Sequence, residues 1–164
     1  MTQPVRGTPA SRSRVFLVLN PFMRFMLRRP IQRMQERLLL LSFNGRRSGR
    51  RYTIPLSYTE DDDGSLLVPG GGAWKRNLEP GRTVEVRLRG EDRLADPGLV
   101  LDPDEIERLL PRMYQGNSRV ESFVGVPIGP DGKPDRPRLE QAIGDGFAIV
   151  RLRLTPATGP LPPR

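Results

Sequence analysis

At 164 residues, with 36% hydrophobic residues, 18 prolines and 17 glycines, the chain fits one domain with a real core and many turns. The lack of histidine and cysteine excludes disulfides, Ser-His-Asp and Cys-His nucleophiles and ordinary zinc or iron sites, so redox chemistry would come from a cofactor. The net charge of +8 is uneven: residues 1–59 hold twelve arginines against one acid, Glu36, and residues 60–164 fifteen cations against eighteen acids, which predicts a basic face toward a phosphate cofactor, nucleic acid or anionic lipid.

Residues 1–13 are polar and carry Pro and Gly, and read as a disordered lead before a single domain over 14–155. Residues 14–29 place Phe16, Phe22, Phe25 and Met26 at helical spacing around an Asn20-Pro21 break, and residues 31–37 read as a second short helix after Pro30. Arg24, Arg28, Arg29, Arg33 and Arg37 give this segment a cationic side. Packing on the domain is the expected use of it, and peripheral membrane contact through residues 14–37 is the alternative. No run of about 18 uncharged apolar residues is present, and the apolar stretch 15–19 is short for a signal peptide, so the expected address is cytoplasmic.

The hydrophobic period changes at Leu38. Residues 38–43 form a continuous apolar run of strand length, expected to be buried on both faces. Residues 44–51 are a basic, glycine-bearing turn, and residues 52–59 resume as a strand. The acidic segment Glu60-Asp61-Asp62-Asp63-Gly64 reads as a soluble hairpin turn rather than a metal loop, because adjacent carboxylates lack the alternate spacing of a calcium site. A strand over 65–68 follows, then a glycine loop through Gly72 and a helical turn over 73–78. Residues 83–88 alternate as a half-buried strand, and residues 93–101 return as its partner. Asp102-Pro103-Asp104-Glu105 is a helix start, with Asp as N-cap and Pro at the first position, for a helix reaching Met113 or Tyr114. Residues 115–145 are rich in Gly and Pro and give no element; residues 147–154 alternate as the last strand, and a Pro-rich tail follows from 156. The class is α+β, mostly β, and about six short antiparallel strands favour a small barrel, which abolishes exposed edges.

Two segments carry chemistry. Gly45-Arg46-Arg47-Ser48-Gly49-Arg50-Arg51 offers backbone N–H groups, a hydroxyl and four guanidiniums to an anion, though such a turn is also a common solvated one. Gly70-Gly71-Gly72, followed by Trp74 and Asn77, would let a planar ligand lie on bare backbone; read as structure alone, it is a long hairpin loop with Trp74 plugging the barrel end.

The string from Leu40 to Leu56, with Asn44-Gly45-Arg46-Arg47-Ser48-Gly49 and Pro55-Leu56, resembles the signature of the deazaflavin-dependent nitroreductase family, and Gly71-Gly72, Trp74 and Asn77-Leu78 are similar to its second element. The resemblance covers roughly residues 15–95. It implies an FMN-binding split β-barrel with an N-terminal helix and one or two peripheral helices. It implies an F420-dependent oxidoreductase that passes hydride to a small conjugated acceptor such as a quinone or nitroaromatic, with FMN as the alternative cofactor. The cofactor phosphate would sit on Arg46, Arg47, Ser48 and Gly49, helped by Arg51, while Pro55, Gly71, Gly72, Trp74 and Asn77 would surround the ring. Tyr58 and Tyr114 are the tyrosines left to assist protonation. Two departures stand out: Val68-Pro69 replaces the basic pair before the family's Gly-Gly, and Trp74 follows Gly72 after one intervening residue. The competing expectations are a non-catalytic flavin, deazaflavin or tetrapyrrole carrier on the same barrel, and binding of an anionic surface through the basic N-terminal segment. Haem would lack a His or Cys axial ligand. Nucleic acid is not expected, because the arginines lack interleaved aromatic residues. The assembly is expected to be a monomer or homodimer.

Overall fold

The computed structural model describes residues 37–156, so the expected lead and helices before Arg37 and the tail after Pro156 lie outside the described residues. Seven strands, β1 (Leu38–Asn44), β2 (Arg51–Ser57), β3 (Thr59–Glu60), β4 (Leu66–Gly70), β5 (Val84–Leu88), β6 (Glu91–Val100) and β7 (Ala148–Leu154), form one antiparallel sheet, one more than expected. A short 3-10 helix, Ala73–Asn77, follows β4. Three α-helices, α1 (Pro103–Gly116), α2 (Ser118–Val124) and α3 (Arg136–Gly144), lie between β6 and β7.

The sheet order is β2-β1-β5-β6-β7-β4-β3. Its two edge strands, β2 and β3, are separated in the chain only by Tyr58. One residue spans less than 4 Å of chain, so the sheet has to curl until its edges meet. The sequence is built for this antiparallel path: β5 turns into β6 through Arg89-Gly90, both at positive φ (51 and 87), the two-residue connection whose twist matches a hairpin.

The strands divide the interior into two cores. One, inside the curl, gathers Leu39, Leu41, Phe43, Leu56, Tyr58, Leu66, Val68, Val86, Val150 and Leu152. The other joins Leu67 and Ile149, from the opposite face of β4 and β7, to Ile106, Leu110, Met113, Val120 and Leu139 of the helices. The strand buried on both faces is therefore β4, all five of whose residues are buried, and not β1. In β1 Leu39, Leu41 and Phe43 point inward while Leu40 is 39% exposed. An apolar run alone could not tell the two apart; what decides is which strands the helices cover.

Helix α1 starts as its sequence dictates, with the Asp102 carboxylate accepting from the Asp104 N–H at 3.1 Å. Its buried stripe, Ile106, Leu110, Met113 and Tyr114, has the spacing of one helical face. The unassigned stretch 115–145 supplies α2, capped by the Asn117 side chain and ended by Gly125 at φ 72, and α3, capped by Asp135. The acidic turn also does more than stay soluble. Asp61 pairs with Arg112 at 2.6 Å and with Arg151 at 3.6 Å, tying the β3–β4 turn to α1 and β7. The Ser65 hydroxyl, and after it the Ser65 N–H that donates to Asp63 at 2.9 Å, hold the Asp63 carboxyl below the usual range.

Candidate functional site

The β1–β2 hairpin closes between Asn44 and Arg51, which pair across the ladder, and leaves residues 45–50 as its tip. Three bonds shape this turn: Gly45 N–H to the Arg50 carbonyl at 2.7 Å, Gly49 N–H to the Gly45 carbonyl at 2.8 Å, and Arg50 N–H to Ser48 Oγ at 3.3 Å. Gly45 is needed because the turn folds tightly over it: a Cβ there would lie 2.7 Å from Ser48 Oγ and 2.8 Å from Tyr52 Cε2. A fourth N–H, that of Arg46, donates to Asn77 Oδ1 at 3.0 Å. Among the described residues, the N–H groups of Arg47 and Ser48 and the guanidiniums of Arg46, Arg47 and Arg50 have no hydrogen bond or ion pair. Consecutive open N–H groups beside exposed guanidiniums are the donor set that binds a phosphate or carboxylate.

The second segment stands directly against the first. Gly72, at φ 82 and exposed, leads into the 3-10 helix, whose Asn77 reaches the turn; Asn77 Nδ2 donates back to the Trp74 carbonyl at 2.9 Å. Trp74 packs on Phe43 with ring centroids 6.4 Å apart, and Phe43 stacks on Tyr52 at 5.8 Å. Three aromatic rings thus support the base of the basic turn. The Trp74 Nε1 is buried with no hydrogen-bond partner among the described residues. The sequence resemblance placed Arg46 and Asn77 in one site from motifs 31 residues apart, and the fold brings them into contact.

Other expected residues are placed differently. Arg51 forks onto Glu85 through two bonds of 2.8 and 2.5 Å, and this bonding raises its pKa further. Its guanidinium is therefore committed within the protein, to a residue brought near because β1 lies between β2 and β5. Gly71 is covered: a Cβ on it would lie 2.6 Å from Phe123 Cζ, so the ring lying on its bare backbone is the protein's own. Pro55 sits opposite Leu40 on β2, an edge strand, where a missing N–H is tolerated. Tyr58 is 2% exposed at the seam between β2 and β3, where it lies against the Arg89 guanidinium. Tyr114 is buried in the helix-side core and donates to the Val126 carbonyl at 2.9 Å; burial, then the nearby Glu121 charge, push its pKa up.

Sequence reasoning missed Glu85, Phe123 and Lys75. Lys75 Nζ donates to the Gly72 carbonyl at 3.0 Å and the Gly146 carbonyl at 2.5 Å, bracing the glycine loop against the start of β7; burial lowers its pKa. The i,i+3 spacing from Gly72 was a signal for this brace. The sequence holds no signal for Phe123, which meets Gly71 only through the packing of α2.

Fold and donor set define a small curled antiparallel barrel with a turn at a hairpin tip equipped to bind an anion. The family model of F420H(2)-dependent quinone reductases matches residues 25–122, and the chain belongs to that family. It is 35% identical over 101 residues to the Mycobacterium tuberculosis protein Rv3178, provisionally named an F420H(2)-dependent quinone reductase, across 55% of this chain and 84% of the relative. Among solved structures, the protein Atu2129 of unknown function from Agrobacterium tumefaciens superposes with a TM-score of 0.53 at 17% identity, covering 73% of this chain and 48% of that one. A protein solved as a domain-swapped dimer gives 0.50 at 12% identity over 73% of this chain and 82% of its own. The family is that of an F420-linked oxidoreductase named for quinones rather than nitroaromatics.

Proposed function

We propose that this chain binds the phosphate of coenzyme F420 at the 45–50 turn and acts as an F420H2-dependent reductase of small conjugated acceptors, quinones first and nitroaromatics second. The observation that carries the reading is the uncommitted donor set of the turn: three guanidiniums, two adjacent N–H groups and the Ser48 hydroxyl. That set fits a phosphate, whose oxygens accept several charge-assisted bonds at once, and no carboxylate lies within the turn.

When bound, the reduced coenzyme supplies the hydride. The chain's own work is to hold and orient it. Arg46, Arg47, Ser48 and Gly49 anchor the phosphate, and Gly72 and Trp74 border the ring, with Pro55 on the adjoining strand. The proton that completes reduction of a quinone has no histidine to come from. Tyr114 keeps its proton on the Val126 carbonyl, and Tyr58 is buried beside the Arg89 guanidinium. In this reading both tyrosines are structural and water delivers the proton.

The test is direct, because Trp74 is the only tryptophan and reports on its own surroundings. Titration with F420 should quench it, and the Arg46→Ala/Arg47→Ala double variant should bind at least about tenfold more weakly, since a hydrogen bond to a charged group contributes about 1.5–3 kcal/mol. Equal affinity in the double variant would remove the phosphate assignment. Tighter binding of FMN than of F420 would make FMN the cofactor. Binding without turnover of any quinone or nitroaromatic would make the protein a carrier.

A further inference from the structure

We infer that Asn77 is a positioning residue: it contacts no ligand itself and instead holds the 45–50 turn in the shape that leaves the Arg47 and Ser48 N–H groups open to a phosphate. The inference rests on the turn being the phosphate site.

A side-chain amide has one acceptor oxygen and one NH2 group, and both ends of Asn77 are engaged. Oδ1 accepts from the Arg46 N–H at 3.0 Å and Nδ2 donates to the Trp74 carbonyl at 2.9 Å. Asn77 is therefore a strut between two segments 31 residues apart in sequence. The turn needs one. Only the N–H groups of Gly45, Gly49 and Arg50 find partners within the turn itself, and without Asn77 the Arg46 N–H would be left open to an anion or water. By taking that N–H, Asn77 holds the Gly45–Arg46 peptide from its N–H side, as Gly49 holds it through the Gly45 carbonyl, and divides the donors of the turn: Arg46 N–H is structural, Arg47 and Ser48 N–H are available. The strut stands on firm ground, because Leu78 beside it is buried in the inner core and Trp74 is packed on Phe43. Oδ1, already accepting from the Arg46 N–H, would face an oxyanion acceptor against acceptor, so a direct ligand role would have to use the second Nδ2 hydrogen, the one not given to the Trp74 carbonyl.

The experiment is amide hydrogen exchange and chemical-shift mapping by NMR on the full chain, for wild type and Asn77→Ala. In the ligand-free wild type the Arg46 N–H should exchange at least tenfold more slowly than those of Arg47 and Ser48. Addition of F420 should shift Arg47 and Ser48 while leaving the Asn77 side-chain NH2 resonances in place. In Asn77→Ala the Arg46 protection should disappear and F420 affinity should fall about five- to tenfold, a loss in the range of one or two ordinary hydrogen bonds. Arg46 exchanging as fast as its neighbours in the wild type, or a large F420-induced shift of the Asn77 NH2, would overturn the assignment, and the wild-type measurements do so even where the variant is unfolded. Should the wild type ignore F420 while Arg46 protection depends on Asn77, the cofactor reading falls and the strut stands.

Discussion

Arginines 46, 47, 50 and 51 share one hairpin tip and the same charge, yet they are not equivalent. Arg51 sits where the ladder begins, and the strand order places Glu85 on the far side of β1, within reach of both its terminal nitrogens. The pair is substantially exposed, with side chains at 48% and 35%, so it adds less than about 1 kcal/mol to stability. Its larger effect is to withdraw one cation from the set proposed to hold the phosphate. Arg51→Ala is accordingly expected to change F420 affinity by less than about threefold, against the tenfold or greater loss of the Arg46/Arg47 double variant. Parallel tryptophan-quenching titrations of the two variants check this, and an Arg51→Ala loss as large as that of the double variant would restore Arg51 to the site.

At the scale of elements, the helix that closes the barrel's outer face depends on its first turn. Asp102 satisfies the Asp104 N–H, Pro103 lies where no N–H is needed, and Asp104 and Glu105 add negative charge at the N-terminus. Asp102→Ala is expected to cost about 1 kcal/mol, read as a lower urea midpoint with unchanged slope. This helix was legible in the sequence because its start is local chemistry. The same chemistry marked α2 and α3, through Asn117 and Asp135, but the glycines and prolines around them masked the signal. What could not be read locally was burial. The run Leu38 to Leu41 is more apolar than Leu66-Leu67-Val68-Pro69-Gly70, yet it is the latter that lies between the two cores, because α1 to α3 pack on that part of the sheet. In the site, glycines and arginines announced the basic turn, whereas Glu85 and Phe123 entered through strand order and helix docking, which short motifs do not encode.

For the molecule as a whole, the helices are bound to one another as well as to the sheet, and Tyr114 is one of the ties between them. It projects from α1 into the helix-side core, and its hydroxyl reaches the Val126 carbonyl just past α2, so it joins α1 to the segment that follows α2. Burial, followed by the Glu121 charge, raises its pKa above the ordinary value of 10.0. The unfolded chain leaves this tyrosine near its ordinary value, so above that pH the unfolded state gives up its proton while the folded state keeps it. A raised folded pKa therefore means full stabilisation below about pH 10, lost progressively as pH rises from the unfolded value toward the folded one. Tyr114→Phe removes the titrating group and the bond to Val126 together. Near pH 7 the variant should be less stable than wild type by about 1 kcal/mol, the net worth of one hydrogen bond. Between about pH 10 and 12 the wild type should lose stability faster than the variant, so their urea midpoints should converge. Curves that stay parallel across that range would show that Tyr114 does not titrate on unfolding and that its hydroxyl is not held as the structure shows.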